Sequence, residues 1–81
     1  MRNIGPVSRA WLAEAGVHTL ADLRHCGAVA TFRMIRDRQS GASLNLLWAL
    51  EGAVRDCDWR ALTEADKSRL REAVRTLDRG G

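Results

Sequence analysis

The sequence has a single proline, no tyrosine, one phenylalanine, one lysine and two cysteines in 81 residues. Each scarcity removes a class. Cys26 and Cys57 fall far short of the dense, even cysteine pattern that staples small secreted domains, so reduced thiols are expected. His18, His25, Cys26 and Cys57 are side chains that zinc accepts, but they lack the close paired spacing of a zinc site, and neither metal nor cofactor is expected. His25 adjoins Cys26, yet sequence neighbours on a helix point about 100° apart, which is wrong for a thiol activated by an imidazole. Paired carboxylates, a phosphate-gripping glycine loop and a nucleophile elbow are all missing, and enzymatic activity is not expected. The longest apolar run, Leu44 to Leu50, is interrupted by Asn45 and stops well short of the roughly 20 residues that span a bilayer. Met1 to Pro6 carries one arginine with no apolar stretch behind it, unlike a secretory signal, so a cytoplasmic location without membrane attachment is the expectation.

What is present suits one helical domain. A chain of this length buries only about 60 to 65% of its unfolded surface and has no material for a second core. The 46% hydrophobic content is enough to offset the entropy of ordering one core, and residues 1–81 are expected to form a single domain, ordered from about 3 to 78. No segment alternates with a two-residue period, no Asn-Gly or Asp-Gly hairpin signal occurs, and no repeat is apparent.

Gly5-Pro6 opens a first helix, because proline at the first helical position supplies the right φ and gives up an N–H that has no partner there. Gly16 closes it, and Val7, Ala10, Trp11 and Ala15 form its expected inward stripe. Thr19 with Asp22 makes a capping-box-like start for a second helix, Leu20 to about His25, stopped by Gly27. A third runs from about Ala28 to Arg38, with Ala28, Phe32 and Ile35 inward and Arg33 and Arg36 on another side. Ser43 caps a fourth, Leu44 to about Arg55, which is apolar nearly all round and is therefore read as the buried central element. Thr63 and Asp66 begin a fifth, ending near Asp78, with Leu70, Ala73, Val74 and Leu77 facing in and Gly80-Gly81 as a frayed tail. The expected fold is all-α, five helices around the fourth.

Three stretches, Asn3 to Pro6, Trp11 to Arg24 and Ser43 to Ala53, resemble the C-terminal domain of the TfoX/Sxy competence regulators over about Asn3 to Leu70. The resemblance implies a helix-hairpin-helix-related, SAM-like fold and a role in switching on DNA-uptake genes. Members of that family usually carry an additional N-terminal TfoX domain. More distantly, the turns Gly16 to Leu23 and Ser40 to Leu44 are similar to two turns in the C-terminal domain of the alpha chain of RNA polymerase. That likeness implies DNA phosphates held on exposed helix-start amides, where unpaired N–H groups and the positive end of the dipole favour an anion. The corresponding positions are Val7 and Ser8 after Gly5, and Leu44 and Asn45 after Gly41 and Ser43. Where the polymerase domain supports these starts with basic and polar side chains, this sequence has Val7, Ala10 and Ala42.

The net charge is +3, and its distribution says more than its size. Residues 1–40 hold six arginines against three acids, while residues 41–81 hold seven bases against seven acids. Arg2, Arg9, Arg33, Arg36 and Arg38 form a phosphate-tracking patch if the first and third helices share a face; a solvated polar face is the alternative, and Asp37 lies within the cluster. Trp11 and Trp48 are expected in the core. Trp59, flanked by Asp58 and Arg60, is left open, and an exposed Trp59 would mark a protein partner. Two functions follow: a regulatory module weakly associated with DNA, or a module recruiting a transcription activator or polymerase without touching DNA.

Overall fold

Residues 1–80 are described by a computed structural model, and their order is α1 (Pro6–Glu14), α2 (Leu20–Cys26), α3 (Ala28–Arg38), α4 (Leu44–Arg55), a 3-10 turn (Trp59–Ala61) and α5 (Glu64–Gly80). No strand occurs among them. The helix starts follow local chemistry. Pro6 sits in the first turn of α1 behind Gly5. At α2 the Asp22 amide donates to Thr19 Oγ1 at 3.1 Å, and the His18 and Thr19 amides donate to Asp22 Oδ2 at 3.0 and 3.1 Å. Thr63 and Asp66 repeat the reciprocal pair at α5, with both bonds at 3.0 Å. Such boxes satisfy two otherwise unpaired donors at once. Gly16 and Gly27 take φ of +84° and +86° at the corners, a conformation open to glycine without steric penalty.

Helix α4 packs on α2, α3 and the 3-10 turn, and α3 in turn packs on α1, α2 and α5. Leu12, Leu23, Ile35, Leu47 and Leu50 are fully enclosed, joined by Phe32, Trp48, Leu70 and Val74. The fourth helix is central as expected, except that Leu44 in its first turn is 42% exposed. The stripe expected on α1 is displaced. Val7 is 64% exposed and Ala10 is exposed, whereas Leu12 is buried and Ser8, Trp11 and Ala15 pack towards the body to different degrees, with Trp11 and Ala15 half-buried and Ser8 at the mouth of a cleft. The true face is thus Ser8, Trp11, Leu12 and Ala15, a regular three-and-four spacing that a polar residue at position 8 conceals. At the other end α5 continues through Gly80, so the tail expected from Gly80 onward does not begin there; Gly81 lies outside the described residues. Ala73 is half-buried and Leu77 largely exposed, leaving Leu70 and Val74 as the inward apolar side chains of α5.

The amino-terminal segment is clasped to the turn after α4. Asn3, at φ +67°, donates from Nδ2 to the Cys57 carbonyl at 3.0 Å and accepts from the Trp59 amide at 3.4 Å. This close approach is possible because residue 52 is glycine: a Cβ there would lie 2.5 Å from Asn3 Nδ2 and 2.8 Å from the Cys57 carbonyl oxygen. Gly52→Ala should therefore lose about 1–3 kcal/mol through forced displacement of the clasp. Leu47→Ala or Leu50→Ala should cost about 2–5 kcal/mol, from lost burial and the residual cavity. Urea unfolding of the three variants checks both figures, and an unchanged midpoint for either leucine variant would remove α4 from the centre of the fold.

Candidate nucleic-acid interface

The two helix starts implicated by the sequence lack carboxylate caps. Gly5 has no side chain to cap α1, the Ser43 side chain makes no cap bond at α4, and neither first turn contains an acid. By contrast α2 and α5 are closed by Asp22 and Asp66. The starts of α1 and α4 come together around a cleft of about 340 Å³, with Ser8 on one side, Ser43 and Asn45 on the other, and Trp11 and Trp59 in the walls. Gly41 in the preceding turn lies against Trp11. Among the described residues, no charged side chain lines this cleft.

The five arginines of the expected patch, Arg2, Arg9, Arg33, Arg36 and Arg38, do not come together. Arg33 and Arg36 of α3 converge on Asp78 of α5: Arg33 Nε donates to Oδ1 at 3.0 Å, and Arg36 donates to Oδ1 at 2.7 Å and Oδ2 at 3.1 Å. Arg38 donates to the Glu14 carbonyl at 3.0 Å, satisfying a free acceptor at the end of α1. Arg2 lies 3.9 Å from Asp56. Arg9 stands beside Ile4, Gly5 and Pro6 at the start of α1, with no ion pair among the described residues.

A second basic feature was hidden by the balanced charge of residues 41–81. Arg71 and Arg75 of α5 line a groove of about 230 Å³ together with Arg36, Leu44, Val74 and Asp78, at the first residue of α4. Their four-residue spacing on one helix was the available signal. Arg75 is paired with Glu72 at 3.0 Å, while the Arg71 guanidinium lies over the Trp48 ring, 5.7 Å from its centroid. Lys67 approaches both Trp48 and Trp59, and Arg60 covers Trp59, which is half-buried. Such stacking fixes the cations against rigid rings. Cys26 is exposed and Cys57 half-buried, both as free thiols. No helix among the described residues is long and apolar enough to cross a membrane.

A family model for the TfoX C-terminal domain matches residues 1–74. The crystal structure of an uncharacterized protein from Listeria monocytogenes, triclinic form, is 35% identical, with a TM-score of 0.86 over 96% of this chain and 89% of that one. A protein of unknown function from Listeria monocytogenes, tetragonal form, is 36% identical, with a TM-score of 0.83 over 93% of this chain and 92% of that one. No curated protein matches the chain.

The two carboxylates that join elements titrate low. Arg36 and then Arg33 hold Asp78 at about 2 by hydrogen bonding. The Thr63 amide, followed by Arg55, holds Asp66 at about 2 as well. Depressed carboxyl values mean that their stabilisation is fully present above the unfolded value near 4 and is lost as pH falls through about 2. The urea midpoint should thus drop between pH 4 and pH 2, and Asp66→Asn or Asp78→Asn should each flatten part of that drop. A profile identical in the variants would contradict the linkage.

Proposed function

The chain belongs to the TfoX C-terminal domain family, and on that premise we propose that it is a non-enzymatic, cytoplasmic regulatory module acting in the transcriptional control of competence and DNA uptake, through weak, backbone-directed association with nucleic acid. One observation carries the reading: the uncapped start of α4 opens onto a groove lined by Arg36, Arg71 and Arg75, in which Asp78 is the one acid among the described lining residues, with Asp37 and Glu72 paired to Arg36 and Arg75 outside it. Helix-start amides and guanidinium groups both favour an oxyanion, the former by partial charge and orientation, the latter by full charge and forked N–H donors. Neither carries sequence information, since contacts to phosphate set position and contacts to base edges set specificity. The association is therefore non-specific, and it requires neither metal nor cofactor.

A second reading has its own support. The cleft between α1 and α4 is walled by Trp11 and Trp59 and has no charged side chain among its described lining residues, which suits a protein segment from a transcription activator or polymerase better than a phosphate.

Salt dependence separates the two. Each phosphate neutralised contributes about 0.9 to the slope of log affinity against log salt, so a footprint of a few cations gives a slope near 3 to 4. Arg71→Gln and Arg75→Gln should each lower that slope by up to about 0.9 and weaken binding equally across DNA sequences, with helicity preserved by circular dichroism. Binding that ignores both salt and these changes would eliminate the groove as the contact. No binding at low salt would leave the protein-partner reading.

A further inference from the structure

The carboxylate of Asp78 occupies a place built for an oxyanion. Three N–H groups from two guanidinium groups, those of Arg33 and Arg36, converge on its two oxygens at 2.7 to 3.1 Å. A phosphate presents its oxygens to arginine in the same forked manner. The receiving side is anchored independently of Asp78. Arg36 lies over the ring of Phe32, 5.8 Å from its centroid, and Phe32 is buried in the core. Both arginines are on α3, which packs on α1, α2, α4 and α5 and buries Ala28, Thr31, Phe32 and Ile35.

The occupying side is held much less firmly. Val74 is the last buried residue of α5, Leu77 is 41% exposed, and Arg79 pairs with Glu72 within the same helix. The final turn of α5 is thus attached to the body chiefly through Asp78. An acid in the last turn also opposes the helix dipole, so the turn gains nothing from Asp78 except these ion pairs. Short terminal segments with few buried contacts open at small free-energy cost. Asp78 lies beyond residue 74, where the match to the family ends, so family membership does not account for the clasp.

We propose that Arg33 and Arg36 form a phosphate-binding site masked by Asp78, and that the last turn of α5 is a plug which phosphate displaces. Removal of the plug joins this pair to Arg71 and Arg75 in the adjoining groove, whose remaining described lining contains no acid, although exposed Asp37, 3.8 Å from Arg36, and Glu72, paired with Arg75, stay beside it. The identity of the phosphate as nucleic-acid backbone rests on the function proposed above; the masked site itself does not.

The test compares the intact chain with Asp78→Ala and Asp78→Asn, two variants so that loss of one side chain's packing is not mistaken for the effect. Inorganic phosphate is titrated in low-salt buffer while the Arg33 and Arg36 Nε–H resonances are followed by NMR. Both variants should show saturable shifts at phosphate concentrations that leave the parent chain unchanged, and in Arg33→Gln/Arg36→Gln/Asp78→Ala the backbone amide shifts of α3 that accompany this response should be lost. In parallel, a short DNA duplex should bind the single variants more tightly than the parent, with a salt slope steeper by about 0.9 to 1.8 for one or two added phosphate contacts. An equal phosphate response in parent and variants, or none in either variant, overturns the masked site. Phosphate binding in the variants without any duplex binding would preserve the masked site and reject nucleic acid as the source of the phosphate.

Discussion

Helix α4 has almost no polar face, and the remaining elements are arranged by the need to cover it. Leu46, Leu47, Trp48, Leu50 and Ala53 are buried along its length, and each large apolar side chain withdrawn from water contributes on the order of 1.5–3 kcal/mol. Helices α2 and α3 cover one flank and the 3-10 turn another. Gly52 decides how closely the cover fits, because the missing Cβ lets the Asn3 clasp and the Cys57 carbonyl approach the helix backbone. Covering α4 also sets the geometry of the surface. Its first residue cannot be enclosed without burying unpaired amides, so Leu44 and the start of the helix remain at the surface beside α1 and α5.

The same constraint explains why the charge count is a poor guide to the electrostatic surface. Arg33 and Arg36 contribute two of the positive charges of the first half, yet folding sets both against one carboxylate. Arg55 and Arg69 converge on Asp66, which ties the end of α4 to the start of α5. Arg71 belongs to the electrically balanced half of the chain but has no carboxylate partner among the described residues, being stacked on Trp48. Available positive charge is therefore a property of the packing of α3, α4 and α5 more than of either half of the sequence.

Local signals made most of the fold legible. The boxes at Thr19/Asp22 and Thr63/Asp66, the glycine corners at 16 and 27 and the apolar run from Leu44 are decided within a few residues, and these boundaries could be read directly. The inward face of α1 was only half read: Trp11 and Ala15 pack on the core as expected, but Val7 and Ala10 do not, because Ser8 shares the face with Leu12 and periodicity alone does not separate a half-buried serine from a solvated one. Of the candidate site, the starts of α1 and α4 were singled out by the distant likeness to the polymerase domain, but the cleft that they share was not foreseen. The groove at Arg71 and Arg75 was not, since it depends on α5 crossing α3 at residues more than forty positions apart, as the Arg36 to Asp78 contact does. Nothing local encodes such a crossing.

The crossing also determines how strongly the surface holds an anion. An arginine already engaged by a carboxylate must exchange that partner for a phosphate, so its contribution to binding is the difference between two forked, charge-assisted contacts. That difference is small when the internal pair is half-exposed, as the Arg36 and Asp78 side chains are, because solvent weakens the internal contact as well. An unengaged cation such as Arg9 has no internal partner to exchange, but it also has no ring or carboxylate to hold it in place and loses more side-chain entropy on binding. Arg71 combines the two favourable conditions, an orientation fixed by Trp48 and no carboxylate to displace, and it stands at the start of α4 where the unpaired amides emerge. Anion affinity in this fold is thus concentrated at the α4–α5 edge and decreases towards the arginines whose partners are internal.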